Sequence, residues 1–589
     1  MSDDQSTDEG FGGYEEDTDL ARDLSLFDIT MIGVGAMIGA GIFVLSGLAA
    51  GQAGPALVMA FAFNGFITIF TAMVYAELGS AIPEAGGGYL WVREALGRSQ
   101  AFIAGWMSWF AHAVAGSLYT LGFGSFVTIL LVEYFNIAPP LGLTESALEK
   151  VFAAFAGILF TYITFRGAKE TGLAGNIVTG IKVAVIYVFV IAGFGVIFGQ
   201  PDITGARLTP FLPRGANGVF IAMGLTFIAF EGYEIIVQSG EEVVDPQRNI
   251  PKAVFYSMAF VVLTYILVAV VLLGAVVVTP ELLEAVRESG GAVGLTENSP
   301  LWKVLGQSGE LGLARAAGEV LPYGTLVILI AGIFSTLSAL NATTYSSTRV
   351  SFAMGRDSVL PDFFEAVHPE KRTPYLATLA SGALIVFMAV ALPIEAVAAA
   401  TDVMFLLLFL QVKYAAIVIR REHGDRIDYG YIMPYFPYVP IVGIITKLFL
   451  AVYLFNYSPL AWYGAIAWIG VGVGIFYLYS RGRVRSEEIE QETRLITEER
   501  ASTDRPYQVL VPIANPDHAQ RLVKIASAIA RRKDGDLLLT AVATVPAQTP
   551  LSEAYRFVDD ERDRLEEAIR YVPEDVPVHR TVTVGHRVG

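Results

Sequence analysis

The sequence predicts an all-α membrane protein with many spans, followed by a small α/β segment. Of the 589 residues, 54% are hydrophobic and 16% are charged, whereas soluble domains carry about 25% charged residues. Apolar runs long enough to span a bilayer as helices follow one another from residue 27 to residue 480. After residue 505, short apolar strands alternate with amphipathic helices, a pattern typical of a parallel sheet. Together these observations exclude a single water-soluble core.

The charge and the cysteine count exclude several functional classes. The net charge of −17 has the wrong sign for a nucleic-acid-binding protein. With no cysteine and 6 histidines, the chain offers no thiol catalysis and is not expected to hold a metal or a haem. No nucleophile, metal or nucleotide motif is recognisable, so we expect neither an enzyme nor a cofactor. The excess of acidic residues and the scarcity of lysine resemble the composition of salt-loving archaeal proteins.

Residues 1–26 form an acidic tail. They contain nine acidic residues and a single basic residue, Arg22, whereas a signal peptide begins with positive charge. This composition favours a solvated, disordered segment.

Residues 27–480 are expected to form a transmembrane domain of twelve helices. About 20 apolar residues cross the hydrocarbon core as a helix, and short polar connectors separate the runs. Lys and Arg collect in the connectors on one side, for example Arg93, Lys371 and Arg420, which marks that side as cytoplasmic. Both termini are then cytoplasmic. The predicted spans are 27–49, 56–81, 101–132, 148–166, 173–198, 217–237, 252–278, 321–354, 375–393, 396–420, 438–457 and 460–480.

The remaining chain divides into a charged linker and a small domain. Residues 481–505 are rich in glutamate and predict a helical linker, and residues 506–589 follow the order β-α-β-α-β. This order resembles the first part of a universal stress protein domain. The phosphate-binding glycines of that family follow its fourth strand, which this sequence does not reach, so the resemblance does not imply nucleotide binding. A regulatory or assembly role, including homo-oligomer formation, is the simpler expectation.

Two of the apolar runs contain features that interrupt a helix. The first run has glycines at positions 33, 35, 39 and 41, and each glycine costs a helix about 1 kcal/mol. The sixth run reads Phe-Ile-Ala-Phe-Glu-Gly-Tyr-Glu at 227–234. Close helix packing is the alternative explanation for the small residues. Interrupted helices at corresponding positions of two halves instead favour a secondary-transporter site, because free N–H groups suit a carboxylate and free carbonyls suit an ammonium group.

Several motifs resemble one transporter family. They are Gly-Val-Gly-Ala-Met-Ile-Gly-Ala-Gly-Ile-Phe at 33–43, Tyr-Ala-Glu-Leu-Gly at 75–79, Pro-Glu-Ala-Gly-Gly-Gly-Tyr at 83–89, and the segments 227–234, 240–253 and 348–361. In kind and order they are similar to the amino acid–polyamine–organocation (APC) transporters, especially the cationic-amino-acid-transporter-like permeases. The resemblance covers roughly residues 25–480. It implies two inverted repeats of five helices with helices 1 and 6 discontinuous, and two additional helices.

The same resemblance implies secondary active transport of an amino acid or related amine across the cell membrane, by alternating access and with a proton as coupling ion. Backbone groups at the two interruptions would hold the charged ends of the substrate. The carboxylate would lie against Gly39, Ala40 and Gly41. The α-amino group would lie against the carbonyls of Phe230, Glu231 and Gly232, and either Phe227 or Ile228 would cover the substrate.

Two glutamates of the sixth run have separate expectations. Glu231 stands where relatives commonly have an apolar residue. It either binds a cationic group of the substrate, carries a second proton, or fills a polar gap between helices. Glu234 matches a position that is often acidic in the family, which implies a role in gating.

Lys182 lies about ten residues into the fifth predicted span, too deep to extend easily to the membrane surface. By the resemblance, it occupies the place where a cation bridges helices 1 and 8 in sodium-coupled relatives. Its expected neighbours are the carbonyls of Gly35 and Ile38 and the hydroxyl of Ser335 or Ser338. We therefore predict that Lys182 is the proton-coupling group, with a purely structural lysine as the alternative.

Four other polar residues are expected to be structural. Lys413 and Lys447 lie nearer the ends of their predicted helices and are expected to extend to an interface. His112 and Glu77 are expected to pack within the bundle or to anchor a loop.

Three other functions remain open at this stage. An exchanger of amino acids or amines is compatible with the same motifs. A cation–chloride cotransporter shares the helix order and has a stress-protein-like tail, but the two interruptions match the amino acid branch. A membrane sensor using the C-terminal domain is the third.

Overall fold

The computed structural model describes residues 23–83, 86–167, 172–288, 291, 293–423, 429–481, 483, 494–499, 507–513, 516–544, 559–573 and 575–585. The first 22 residues of the predicted acidic tail, most of the predicted linker and the first part of the predicted helix 551–571 lie outside the described residues.

The body of the protein is a bundle of helices. Helices α1 to α19 span Leu26–Met37, Ala40–Ala53, Leu57–Ala81, Gly88–Leu96, Arg98–Ile129, Glu145–Arg166, Gly172–Gly199, Pro201–Arg207, Gly215–Leu225, Tyr233–Gln238, Pro246–Gly274, Pro280–Glu288, Leu301–Gln307, Gly312–Val320, Gly324–Arg356, Tyr375–Ala391, Ile394–His423, Tyr438–Tyr457 and Pro459–Ile475. Within the described residues, nine stretches are long and apolar enough to cross a membrane. The predicted class, a helical membrane protein with many spans, is confirmed.

The outer surface of the bundle is apolar. Large side chains such as Phe155, Ile191 and Phe198 are 57%, 69% and 77% exposed. Exposed apolar patches of this kind are unfavourable in water and fit contact with lipid chains. The inner face of the bundle is one continuous apolar core.

A capping box fixes the start of α1. The backbone N–H of Asp28 donates to Ser25 Oγ at 3.3 Å, and the N–H of Ser25 donates to Asp28 Oδ2 at 3.0 Å. Asp28 Oδ1 also accepts a hydrogen bond from Asn176 Nδ2 at 2.7 Å. This contact joins the start of α1 to α7, the helix that carries Lys182.

The segment between α11 and α15 folds into the short helices α12, α13 and α14, and the last two pack against α2. A Cβ atom added to Gly51 would lie 2.7 Å from the Cα of Gly306, and one added to Gly47 would lie 2.9 Å from the Cα of Gly312. Small residues therefore allow the backbones to touch, and the segment holds α2 in place.

The described C-terminal residues form a four-stranded sheet with two helices and a separate apolar core. The strands are β1 Arg494–Glu499, β2 Gln508–Pro512, β3 Asp536–Thr544 and β4 Val578–Gly585, and the helices are α20 Pro516–Lys533 and α21 Asp559–Ile569. Strands β2, β3 and β4 are parallel, and β1 is antiparallel to β4. The helix predicted over 481–505 is therefore wrong at Arg494–Glu499, where pairing with β4 imposes a strand.

An ion pair attaches the end of the bundle to a loop. Arg483 pairs with Asp362, which also accepts a hydrogen bond from the Tyr479 hydroxyl at 3.2 Å. The hydrogen bond from Arg483 lowers the pKa of the exposed Asp362 carboxyl. The chain therefore leaves the bundle at a fixed point beside the loop that follows α15.

Candidate functional site

The first interruption separates α1 from α2. Helix α1 ends at Met37 and α2 begins at Ala40. The N–H of Gly39 donates to Met37 O at 2.8 Å, which tightens the turn between the two helices. The first turn of α2 then has N–H groups without partners inside its own helix. Positive helix-end charge and N–H donors suit an anionic group at this place.

The second interruption separates α9 from α10. Helix α9 ends at Leu225, a short 3₁₀ turn covers Phe227–Phe230, and α10 begins at Tyr233. Gly232 has φ 144°, a conformation that favours glycine. A Cβ added there would also lie 2.8 Å from Ala36 Cβ and 2.9 Å from Met37 N. Glycine is thus required at position 232 both by its backbone angle and by the approach of α1.

The two interruptions are in direct contact. A Cβ added to Gly41 would lie 2.5 Å from the Cα of Ala229. The Tyr265 hydroxyl, on α11, lies 2.6 Å from Met37 O and 3.0 Å from Ala229 O, so its single hydrogen is shared between a carbonyl at each interruption. Its ring packs against Phe61 and Phe230. Tyr265 was missed from the sequence because it is one aromatic residue among many in an apolar helix.

A small cavity opens beside the interruptions. Most of its wall is small or apolar, and its polar side chains are few. Its lining residues include Ala36, Tyr119, Ala339, His112, Glu231 and Glu234. Ligand sites commonly combine an apolar wall with a few placed polar groups, so this cavity is the candidate substrate site.

The predicted substrate residues divide into two groups. Ile228, Glu231 and Gly232 line the cavity. Gly39 adjoins it, because an added Cβ would lie 3.0 Å from Ala339 and 3.8 Å from Tyr119. Among the other predicted contacts whose side chains the structure describes, Gly41, Phe227 and Phe230 do not line it. Gly41 is covered by Ala229, and the Phe230 ring packs at 6.1 Å from the Phe61 ring.

Glu234 forms a buried pair with His112. His112 Nε2 lies 2.6 Å from Glu234 Oε1, and His112 Nδ1 lies 2.8 Å from the carbonyl oxygen of Ser108. The two side chains belong to α10 and α5 and both line the cavity. The expectation that His112 merely packs within the bundle is therefore incomplete.

Lys182 is 1% exposed, and its ammonium donates to Gly35 O at 2.9 Å. The Ser335 hydroxyl donates to Ile38 O at 2.8 Å, so α15 contacts the end of α1 at the neighbouring carbonyl. Ser338, on the same helix, is half-buried. The structure thus brings Lys182 to Gly35 and Ser335 to Ile38, two of the expected contacts at the end of α1.

A charged cluster lies at the second interruption. It consists of Glu231 between α9 and α10, Asp402 and Lys413 on α17, and Lys447 on α18. The two lysines are 0% exposed, so the expectation that they extend to an interface is wrong. Lys447 Nζ lies 3.3 Å from the centre of the Phe227 ring, and Lys413 Nζ lies 3.4 Å from Phe409 O.

The acids of this cluster are only partly satisfied. Asp402 Oδ1 accepts a hydrogen bond from the N–H of Ile228 at 2.7 Å. Among the described residues, Asp402 Oδ2 and both Glu231 oxygens accept no hydrogen bond of ordinary geometry, although the Tyr233 hydroxyl is near Glu231. Glu231 interacts electrostatically with Lys447 and Lys413. Its carboxylate therefore has capacity for a cationic ligand.

Glu77 is an anchor for a loop, as expected. Its Oε2 accepts hydrogen bonds from Arg420 at 3.0 Å and from the N–H of Met433 at 2.5 Å. The side chain does not line the cavity.

Two helices broken at mid-length around a small cavity, within a lipid-facing bundle, are typical of a membrane transporter. The amino acid permease family matches residues 24–476, and the chain belongs to this family. The predictions of an APC-type permease and of a transporter rather than an enzyme are confirmed.

Individual relatives support the assignment. The methylthioribose transporter of Bacillus subtilis (strain 168) is 31% identical over 469 residues, which is 78% of this chain and 94% of that protein. The branched-chain amino acid permease BcaP of the same organism is 29% identical over 470 residues, with the same shares. The human cationic amino acid transporter 4 is 29% identical over 416 residues, or 69% of this chain and 61% of that protein.

Proposed function

We propose that the protein is a secondary active transporter of amino acids that binds its substrate between the two interrupted helices. The observation that carries the proposal is the cavity beside both interruptions, with Glu231 and Glu234 in its wall. The N-terminus of α2 suits the substrate carboxylate, and the backbone carbonyls of residues 226–232, between α9 and α10, suit the ammonium group together with the Glu231 side chain. A zwitterion supplies both charges.

The proposed architecture has twelve spans. The first apolar stretch, Leu26–Ala81, contains the broken helix α1–α2 and then α3, and it counts as two spans. The two further spans come from the shorter apolar helices: Gly215–Leu225 forms one span together with α10, and Tyr375–Ala391 forms the other. In a five-plus-five inverted repeat the interruptions fall in spans 1 and 6. The excess of Lys and Arg in the loops on one side supports the proposal that both termini are cytoplasmic, in a protein of the cell membrane.

In this proposal the segment 226–232 is the moving part that closes the site. Ile228 lines the cavity, whereas the Phe227 ring lies beneath the ammonium of Lys447, so Ile228 is the better candidate for the cover over the substrate. Alternating access requires the segment and α1–α2 to shift together. The shared hydrogen bonds of Tyr265 and the close contact of Gly41 with Ala229 support such coupled movement.

Lys182 is the proposed proton-coupling group. A charged lysine far from water is costly unless it is paired, and its acceptor here is the Gly35 carbonyl next to the first interruption. Loss of the proton would weaken that contact, because a neutral amine is a poorer donor than an ammonium, and would loosen the end of α1. Proton binding and the geometry of the substrate site are thus linked through the Gly35 carbonyl.

The experiment is substrate competition in proteoliposomes that contain the full chain. One labelled amino acid is offered with and without an inward pH gradient, against a panel of cationic amino acids, branched-chain amino acids and methylthioribose. The acidic cavity wall predicts that compounds with an ammonium group compete and that methylthioribose, which has none, does not. Lys524 is an exposed residue on α20, and Lys524→Ala is the control for Lys182→Ala, which replaces the proposed coupling lysine.

The outcomes separate the alternatives. Accumulation of an amino acid above its outside concentration, driven by the pH gradient, supports the proposal. Uptake only into vesicles preloaded with amino acid identifies an exchanger. If chloride flux occurs and no amino acid competes, the proposal is wrong.

A further inference from the structure

The charged cluster lies directly behind the wall of the substrate cavity. Glu231 belongs to both, because it lines the cavity. Ile228 also lines the cavity, and its backbone N–H donates to Asp402 Oδ1 at 2.7 Å. Lys447 Nζ lies 3.3 Å from the centre of the ring of Phe227, the residue before Ile228. The segment 226–232 is therefore a wall that the cluster and the cavity share.

The positive and negative charges of the cluster are equal in number. Its acids are Glu231 and Asp402, and its bases are Lys413 and Lys447. A proton passed from a lysine to an acid would neutralise one group of each kind and leave the sum at zero. Asp402 and the two lysines are 0% exposed, and Glu231 is 6% exposed. Because an unbalanced charge is costly at such burial, the balance is a property that the site has to keep.

No direct ion pair closes the cluster within the described part of the chain. Glu231 interacts electrostatically with both lysines, and Asp402 interacts with Lys447. The Lys447 ammonium and the Glu231 oxygens nevertheless have no hydrogen bond of ordinary geometry to another described residue. Lys447 therefore acts on the acids through space. The Glu231 carboxylate stays available to a polar group in the cavity, although its charge is already offset.

This balance affects amino acids with different side chains differently. An amino acid with an uncharged side chain brings one ammonium and one carboxylate, so the sum of charges at the site is unchanged. A cationic side chain adds a second positive charge, which the balanced cluster does not offset. The other acid of the cavity wall, Glu234, is already paired with His112. Since burying an unbalanced charge is unfavourable, the charge of a cationic side chain weakens its binding.

We propose that Lys447 sets the charge class of the substrate, so that the cavity selects amino acids with an uncharged side chain over those with a cationic one. Lys447 does not line the cavity, and it acts through its charge rather than by contact with the substrate. Without this charge the cluster would have one unbalanced negative charge, which a cationic side chain would offset. This inference rests on the proposed function, because it requires a cavity that binds an amino acid.

The test compares amino acids that differ in the terminal ammonium of the side chain. Norleucine and lysine share the same carbon chain, and so do the shorter α-aminobutyrate and α,γ-diaminobutyrate. Each compound competes with one labelled amino acid for uptake into proteoliposomes that contain the full chain. The measured ratio is the concentration of the cationic member that halves uptake, divided by that of the uncharged member. This ratio does not depend on the amount of folded protein, so a loss of stability alone leaves it unchanged.

The variants change the charge of the cluster in opposite directions. Lys447→Met removes a positive charge and keeps an unbranched side chain. Asp402→Asn removes a negative charge and keeps an oxygen that can accept from the Ile228 N–H. Asp402→Asn/Lys447→Met restores the balance. Lys524→Met, at an exposed position on α20, is the matched control for the loss of a lysine.

We expect the wild type to bind the uncharged member of each pair about tenfold more tightly than the cationic member. In Lys447→Met the ratio falls about tenfold, because the unbalanced acid attracts the cationic side chain. In Asp402→Asn the ratio rises. The double variant and Lys524→Met keep the wild-type ratio. A purely structural cluster would not give opposite shifts that cancel in the double variant.

The wild-type comparison needs no variant, and equal or tighter binding of the cationic members would overturn the inference. An unchanged ratio in folded Lys447→Met would overturn it as well. If Lys447→Met does not fold, an unchanged or lower ratio in Asp402→Asn does so instead.

Failure of this inference differs from failure of the proposed function. If no amino acid competes for uptake by the wild type, the proposed function fails. If amino acids compete but the cationic and uncharged members do so equally, only the role of Lys447 in selection fails.

Discussion

A buried lysine contacts each of the two helix interruptions, and the two lysines differ in what they bind. Lys182 donates to the Gly35 carbonyl at 2.9 Å, close to the end of α1. Lys447 lies 3.3 Å from the centre of the Phe227 ring in the second interruption, and among the described residues its ammonium has no hydrogen-bond acceptor. Its electrostatic partners are Glu231 and Asp402.

The difference teaches that burial does not by itself define a coupling group. A change of charge on Lys182 strengthens or weakens its hydrogen bond to the Gly35 carbonyl of α1. A charge on Lys447 is balanced by two acids and an aromatic face, which makes it a counter-ion for a cluster. We therefore expect Lys182 to control coupling and Lys447 to control stability.

Gly232→Ala is expected to have the largest effect and to disable both interruptions. The φ of 144° costs an L-residue about 1–3 kcal/mol, and the added Cβ would meet Ala36 and Met37. We expect uptake about a hundredfold below the wild type, because small displacements at a binding site are costly.

The control for this variant is Gly180→Ala on α7, since no atom lies within 4 Å of a Cβ added there. It should leave uptake unchanged and raise stability by at most about 1 kcal/mol. Equal uptake by the two glycine variants would contradict the described geometry of the second interruption.

Lys447→Met tests the role in stability that is assigned to Lys447. Removing Lys447 from the buried cluster takes away the cation that Glu231 and Asp402 share, which costs about 3–5 kcal/mol. We expect a lower thermal unfolding temperature. Substrate uptake by the protein that remains folded should still be driven by the pH gradient.

The double variant Glu231→Gln/Lys447→Met should recover part of the lost stability, because both charges are removed together. Purely additive losses would show that Lys447 and Glu231 do not interact. Loss of pH-driven uptake at unchanged stability would reverse the roles assigned to the two lysines.

Tyr265→Phe removes the hydroxyl shared by the two interruptions and keeps the ring between Phe61 and Phe230. The carbonyls of Met37 and Ala229 then lose a donor, at a cost of about 1–3 kcal/mol. We expect uptake about tenfold lower, from a reduced maximal rate, since a difference of 1.4 kcal/mol changes an equilibrium tenfold. An unchanged rate would show that the interruptions do not move as a unit.

Much of the site could be predicted from sequence because its signals are local. The glycines of the first run, the Phe-Glu-Gly segment and the depth of Lys182 can each be recognised within a few residues. The partners Asp402, Lys413, Lys447 and Tyr265 could not, since each meets the second interruption only through packing of helices distant in the chain. Strand β1 was missed for the same reason, because a partner about 80 residues away overrides the helical preference of a charged segment.

Ser335→Ala is expected to have the smallest effect, and it tests the contact between α15 and the end of α1 near Lys182. It removes a 2.8 Å hydrogen bond to Ile38 O, which contributes about 1 kcal/mol. We expect uptake to fall about fivefold, with pH-driven accumulation retained. Ser338→Ala, on the same helix, is the matched comparison, and a larger loss of uptake in Ser338→Ala than in Ser335→Ala would contradict the assignment of Ser335 to this site.

The most direct test of the account is the response of Lys182→Ala to a pH gradient. Vesicles are loaded with the substrate identified by competition, and exchange and net accumulation are measured in the same preparation. We predict that Lys182→Ala exchanges substrate across the membrane but no longer accumulates it when the outside is acidic. Normal pH-driven accumulation by Lys182→Ala would contradict the account.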